Sequence, residues 1–173
     1  PAHHPSSLLN ELKSNPGRYA YATSGVGTVQ HLGFEMLKRR TGAFVVHIPY
    51  RGAAQILPDI VGGQVPLGVV SATAGIAQAR AGKVKALALM SPVRLPGAEQ
   101  VAPLSEVLPG FQVAPRLCLL APSATPTAVV DSLSEAVRQV LESSDTVAAA
   151  LRQGAVPAYL SANRMVTDLP REV

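Results

Sequence analysis

The sequence is poorest in the side chains that build reactive or stacking surfaces. Cysteine occurs once, at Cys118, tryptophan is absent, and aromatic residues make up 4% of the 173. One thiol excludes an intrachain disulfide and a cysteine-based zinc site. Within the apolar run LCLLAP that thiol reads as a small buried hydrophobe. The shortage of aromatics leaves no stacking platform for single-stranded nucleic acid, and dense basic charge stops at Lys38, Arg39 and Arg40, so nucleic acid is not an expected partner. Charge of either sign is missing between Asp59 and Arg80. That stretch has the length of a membrane span. Gly62, Gly63, Gln64, Pro66, Ser71, Thr73 and Gln78 interrupt it, and it reads instead as helix, strand and helix. The chain opens PAHHPSS, without an initiator methionine, a basic segment or an apolar run of an export signal, and so reads as a cut or processed product.

What is present suits one domain or two small lobes: 47% apolar residues, enough for a core, and a modest net charge of +4 with histidine neutral. Ser6 or Ser7 is placed to cap a helix through LLNELKS, which stops before the turn signal of Asn15, Pro16 and Gly17. RYAYA reads as a strand entering a glycine loop. From Thr28, the positions Val29, Leu32, Gly33, Met36 and Leu37 repeat as the stripe of an amphipathic helix. Lys38, Arg39 and Arg40 fall in its last turn, where the dipole favours cations, and Gly42 closes it. AFVVHI is the next strand and PYRG a turn. A helix through AAQILPDIV is expected to kink or start late because Pro58 removes a hydrogen bond. QVPLGVV reads as a short buried strand, TAGIAQARAG as a helix and VKALALM as another strand. The alternation argues for a mostly parallel sheet with helices on its faces.

Residues 91–109 read as loop, and FQVAPRLCLLAP as a final strand crossing between lobes. Thr125 is placed as an N-cap with Pro126 at the first helical position. Val129, Val130, Leu133, Ala136, Val137, Val140 and Leu141 give the helix that follows its apolar stripe. DTVAAALRQG is a shorter helix ended by Gly154, and Ser161 is placed to cap a last one running to Val173.

Residues 21–33, YATSGVGTVQHLG, set a glycine loop between a strand and a helix start, and several chemistries compete for it. A dinucleotide site requires GxGxxG and an acidic residue at the end of the next strand; here Gln30 takes the third glycine's place and His47 lies near the acid's. A phosphate loop is excluded, because no Gly-Lys-Ser/Thr follows. Ser24 beside Gly25 lacks the GxSxG context of a nucleophile, and no pattern selects a triad from Ser24, His31 and His47. For a metal, His3 and His4 lie in a terminal tail, and His31 and His47 lack a spaced third ligand. Anion capture fits better. A helix starting at Thr28 exposes its first N–H groups at its positive end. Gly25 and Gly27 permit close approach, and Thr23, Ser24 and Thr28 add hydroxyl donors, so a carboxylate can be held without an arginine. A bare structural turn remains open on these local features alone.

The segments NPGRYAYATSGVGTVQHLGFEMLKRRTG, VVHIPYRGAAQILPDIVGGQV and ARAGKVKALA, followed by VLPGF, LLAPSATPTAVVDSLSEAV and LRQGAVP, resemble in order the periplasmic solute receptors of tripartite tricarboxylate transporters, the Bug family. The likeness covers nearly the whole chain and is specific in combination, not piece by piece. It implies an α/β fold: a periplasmic-binding-protein-like lobe with a mostly parallel sheet flanked by helices, plus C-terminal helices belonging to another lobe. It also implies a periplasmic protein without cofactor, metal or catalysis, which closes on a small organic acid or related metabolite and delivers it to membrane transporter subunits.

The family's serine/threonine–glycine loop falls on Thr23, Ser24, Gly25, Gly27 and Thr28, its helix histidine on His31, and its Pro-Tyr-Lys-Gly turn on Pro49, Tyr50, Arg51 and Gly52. With Ser71, the expected ligand-binding set is Thr23, Ser24, Gly25, Gly27, Thr28, His31, Tyr50 and Ser71. Loop backbone and bridging waters are expected to hold the ligand, with Arg51 at the rim. Departures from the family pattern are Val70 and Ser71, where many relatives carry Asp followed by Asn or Gln, GAEQVAP in place of PDVPT, and Pro58 inside a helix. Residues 5–115 are expected to form the second lobe, and 116–173 the crossover strand and helices of a largely missing first lobe. That lobe or a second copy of the chain is then the expected partner of the 126–141 stripe. The competing reading is a hydrolase-like or dinucleotide-dependent enzyme built on Ser24, Gly25 and Gly27.

Overall fold

A strand begins where the turn at Asn15, Pro16 and Gly17 gives way to residues that can be buried on both sides. In the computed structural model, which describes residues 4–113, 115, 117–152 and 155–168, this strand is β1, Ala20–Thr23, with Tyr21, Ala22 and Thr23 fully buried. His3, the helix stop at Gly154 and the run to Val173 lie outside the described residues. β1 is the centre of a parallel sheet, between β2 (Val46–Pro49) and β3 (Leu67–Gly68). Helix α1 (Pro5–Ser14) precedes it, α2 (Val29–Thr41) connects β1 to β2, α3 (Ile56–Val61) leads to β3, and α4 (Ala72–Arg80) follows.

Side chains alternate across the strands, and this sorts two cores. Tyr21 and Val45 join Leu8, Leu9 and Leu12 of α1, Phe34 and Leu37 of α2, and Leu104 and Phe111. Ala22 instead joins Ile56 and Val65, with Ile48 and Ile60 packed against them. Both faces are therefore covered, as parallel sheets require. The two crossovers run in opposite directions across the sheet, from β1 to β2 and then from β2 to β3, so right-handed connections place α2 and α3 on opposite faces.

Local chemistry sets the helix ends. His4, not Ser6 or Ser7, caps α1: its ring accepts the Ser7 N–H, Ser7 reciprocates, and Pro5 takes the first helical position, where no N–H is needed. Thr28 caps α2 by accepting the His31 N–H, and Gly42 ends it at a φ of 72°. Thr28→Ala is expected to cost about 1 kcal/mol in urea unfolding, the usual worth of such a cap. The α2 stripe differs from the sequence expectation. Gly33, Phe34 and Leu37 are buried, while Val29 and Leu32 stay 40% and 58% exposed. The Phe34 ring stacks on Tyr21 at 3.9 Å, and burying that large ring turns the helix one position away from the simple periodic reading. At Pro58 the α-helix does start late: a 3-10 turn at Ala53–Gln55 comes first, and Pro58 sits in the first turn of α3.

Two expected strands are absent among the described residues. VKALALM forms only an isolated bridge, Leu89 with Pro103, yet its apolar side chains are used: Leu87, Ala88 and Met90 pack on the main core and Leu89 lies in a separate cluster with Ile76, Leu95, Ala98 and Val101. Burial without a paired edge gives the same sequence signal as a strand. The run FQVAPRLCLLAP likewise has no strand, and Cys118 is exposed together with Leu117, Leu119 and Leu120, which corrects the buried-thiol reading.

The chain divides into two compact units, Pro1–Pro115 and Arg116–Val173. The second holds α5 (Thr127–Glu142), α6 (Ser144–Arg152) and α7 (Ala162–Asp168). Its first helix starts one residue later than expected, with Pro126 rather than Thr125 as N-cap. None of the α5 residues is buried, and Val129, Leu133 and Val140 are exposed. No helix among the described residues is long and apolar enough to cross a membrane.

Candidate functional site

β1 and β3 run side by side in the same direction, joined by the Val69 N–H to Ala22 O bond of 2.9 Å, so their carboxyl ends open at one edge of the sheet. Each is followed by the start of a capped helix. Thr28 accepts the His31 N–H at 3.3 Å for α2, and Ser71 accepts the Ala74 N–H at 3.4 Å for α4. Helix starts carry partial positive charge. With strand order β2-β1-β3, the chain leaves β1 toward one side and later crosses to the other, and open α/β sheets bind ligands outside the strand ends at such a reversal.

The loop between β1 and α2 folds around its glycines. Gly25 has a φ of 138° and Gly27 of 79°, values that side chains disfavour. Thr23 Oγ1 accepts the Gly25 N–H at 3.3 Å, and Thr28 Oγ1 donates to Gly25 O at 2.8 Å, so two hydroxyls hold Gly25 on both sides of its Cα. The Gly27 N–H donates to His31 Nδ1 at 3.2 Å. The N–H groups of Val26 and Thr28 find no acceptor among the described residues, and those of Val29 and Gln30 have no intrahelical partner. The loop itself carries no charged side chain. Its chemistry is that of backbone donors gathered at a positive helix end.

Several of the expected ligand groups already hold hydrogen-bond partners within the protein. Thr23 is fully buried and its hydroxyl is engaged by Gly25 and His47, and the Thr28 hydroxyl is engaged as cap and clamp; both frame the loop in place of donating outward. Tyr50 donates its hydroxyl to Asp59 Oδ2 at 2.5 Å, which leaves its half-buried ring as the available part. Ser24 is half-buried and its side chain has no hydrogen-bond partner among the described residues, and Ser71 is exposed at the start of α4. No cluster of metal-binding side chains occurs among the described residues.

The family model described as tripartite tricarboxylate transporter family receptor matches residues 1–171. The chain belongs to this receptor family. A protein of the tcbD–tcbE intergenic region of Pseudomonas sp. (strain P51) is 32% identical over 95% of the chain and 49% of its own length. Protein BugT of Bordetella pertussis is 31% identical over 87% of the chain and 47% of its own length. The chain thus spans about half the length of the curated relatives it matches. The solved structure of R. palustris Rpa4515 with adipate superposes with a TM-score of 0.88 at 27% identity, covering 99% of this chain and 58% of that one. The receptor chain therefore has the α/β fold of this family, with its parallel sheet and flanking helices.

The receptor chain holds one more residue at the site, which sequence reasoning left out of the binding set. His47, paired with Tyr21 across the sheet, places Nε2 2.7 Å from Thr23 Oγ1 and stacks on His31 with ring centroids 4.2 Å apart. Its signal was the alternation in VVHIP, which puts His47 on the face of Val45, toward α2. Burial, and then the neighbouring His31, hold His47 below its ordinary value of 6.5. Nearby, burial favours the protonated form of Glu35, but hydrogen bonds from Lys38 and Tyr21 prevail and hold its carboxyl below 4.5. The folded receptor keeps His47 neutral where the unfolded chain already takes a proton. Stability from this residue is complete above 6.5 and is lost as pH falls from there toward the depressed folded value. The Glu35 contribution has the same sign but fades only below 4.5, so urea midpoints are expected to fall as pH drops below 6.5 and to keep falling below 4.5.

Proposed function

We propose that this receptor chain binds a small organic acid in the periplasm, for delivery to the membrane subunits of a tripartite transporter, with a ligand carboxylate at the carboxyl ends of β1 and β3. The carrying observation is the set of unpaired backbone N–H groups at Val26, Thr28, Val29 and Gln30, beside a helix start and a loop with no charged side chain. Ser24 and Ser71 supply hydroxyls from the two adjacent strand ends, Gly25 and Gly27 let the ligand reach the backbone, and His31 and Tyr50 line the edge. Thr23 and Thr28 hold the shape. The chain binds without turnover. The adipate held by Rpa4515 supports a dicarboxylate as ligand class. Calorimetric titration with adipate, together with mass spectrometry of small acids released from the purified protein, tests this. Esterase or dehydrogenase turnover abolished by Ser24→Ala would replace it with an enzyme.

Arg51 is exposed in the turn after β2 and is assigned no direct contact with the ligand. Arg51→Ala is therefore expected to weaken adipate binding by about 1 kcal/mol or less, as for other exposed charges. Calorimetry showing a loss of hundreds of fold would make Arg51 the ligand's direct partner.

A further inference from the structure

Two imidazoles reach the two glycine peptides of the loop. His31 Nδ1 accepts the Gly27 N–H at 3.2 Å. His47 Nε2 lies 2.7 Å from Thr23 Oγ1, the atom that accepts the Gly25 N–H. The rings are linked to each other, His31 on His47 at 4.2 Å with 28° between planes, and His47 is backed by Tyr21 at 4.8 Å. Tyr21 is in turn fixed by Phe34 and by its hydroxyl bond to Glu35.

We propose that His47 is the positioning residue of the anion site: it sets the Gly25 turn through Thr23 and holds the His31 ring so that His31 latches the Gly27 amide while neutral and releases it on taking a proton. This deepens the carboxylate reading above and rests on it. An N–H can be accepted only by an unprotonated ring nitrogen. A proton on His31 Nδ1 turns the acceptor into a donor, breaks the latch, and leaves two donors, the imidazolium and the Gly27 N–H, for one carboxylate. The charged and titratable groups facing the pair are Glu35 and Lys38 from α2 and Tyr21 from β1. Lys38 Nζ and the Tyr21 hydroxyl both bind Glu35 Oε1, at 2.7 and 2.5 Å, and on His47 the pull of Glu35 toward the protonated form is outweighed by burial and by His31. Burial and the neighbouring ring also oppose charge on His47. An anionic ligand and a proton on His31 then stabilise each other. The site selects ionised acids over neutral esters or amides of the same shape.

The test is an NMR titration of the isotope-labelled protein, following the imidazole nitrogens of His31 and His47 and the amides of Gly25 and Gly27. The expected result is a His31 with unprotonated Nδ1 at about pH 8, and a Gly27 amide that moves with the same midpoint as His31 on acidification. His47→Gln keeps a partner for Thr23 but loses the stack, and is expected to uncouple Gly27 from His31 while leaving Gly25 in place. His47→Phe keeps the stack and loses the Thr23 bond, and is expected to do the reverse. A generally destabilising role would not separate the two glycines. Adipate affinity in the native protein is expected to rise about tenfold from about pH 8 to about pH 6, the worth of one charge-assisted bond. In His47→Gln most of that rise is lost. A His31 protonated on Nδ1 at high pH, or one that titrates without moving Gly27, overturns the latch. Coupling of His31 and Gly27 without any response to adipate would support the latch while removing the carboxylate site.

Discussion

Gly25→Val is expected to abolish measurable adipate binding and to lower the unfolding free energy by about 1–3 kcal/mol, the cost of forcing a side chain into a glycine conformation. Space is not the obstacle. A Cβ built at Gly25 meets Tyr50 O at 3.6 Å and Thr28 Cγ2 at 3.8 Å, both ordinary contacts. The obstacle is the φ of 138°, which valine does not adopt. Relaxing it turns the peptides on either side of Gly25 away from their clamps, the Thr23 hydroxyl on its N–H and the Thr28 hydroxyl on its carbonyl. The loop then loses the arrangement that gathers its free N–H groups, while the cores are untouched. Binding should suffer more than stability, a split read by calorimetry and urea unfolding on one variant. A Gly25→Val protein that binds adipate as the native one does would remove the loop from the site.

Tyr21→Ala is the largest expected stability loss, about 3–5 kcal/mol, as for other large aromatic truncations in a core. The ring is fully buried, stacks on Phe34 and on His47, and sends its hydroxyl to Glu35. Burial and the Glu35 carboxylate push that hydroxyl's pKa far up, so it stays protonated and a donor at neutral pH. Tyr21→Phe keeps the ring and is expected to cost only about 1 kcal/mol, the net worth of one hydrogen bond. The pair separates packing from hydrogen bonding in one urea series. A loss under about 1 kcal/mol in Tyr21→Ala would mean the ring does not hold the two layers together.

Much of the first unit was legible in the sequence because local chemistry and tertiary demands agree there. The helix start at Thr28, Gly42 as stop, the strand before Gly25 and the late start at Pro58 are each fixed within a few residues of their own position. Where partners distant in sequence decide, the reading failed. The α2 stripe favoured Val29 and Leu32, but Tyr21 stacks on Phe34 and turns the helix. VKALALM has the composition of a strand and the burial of one, yet no paired neighbour beyond the Leu89–Pro103 bridge. At the site, the loop's glycines were legible because positive φ has a residue preference. The engagement of the Thr23 and Tyr50 hydroxyls was not, since His47 and Asp59 come from other elements. The same reason hid His47, whose place beside Thr23 depends on the β1–β2 register, Tyr21 opposite His47.

If backbone donors at the β1–α2 turn hold the ligand's carboxylate, amide shifts will record it on addition of adipate. The first and largest changes are expected on residues 24–30, with a second set at residues 71–74 where α4 begins. Changes centred on Arg51, on α5 to α7, or on no residue of the loop would contradict it.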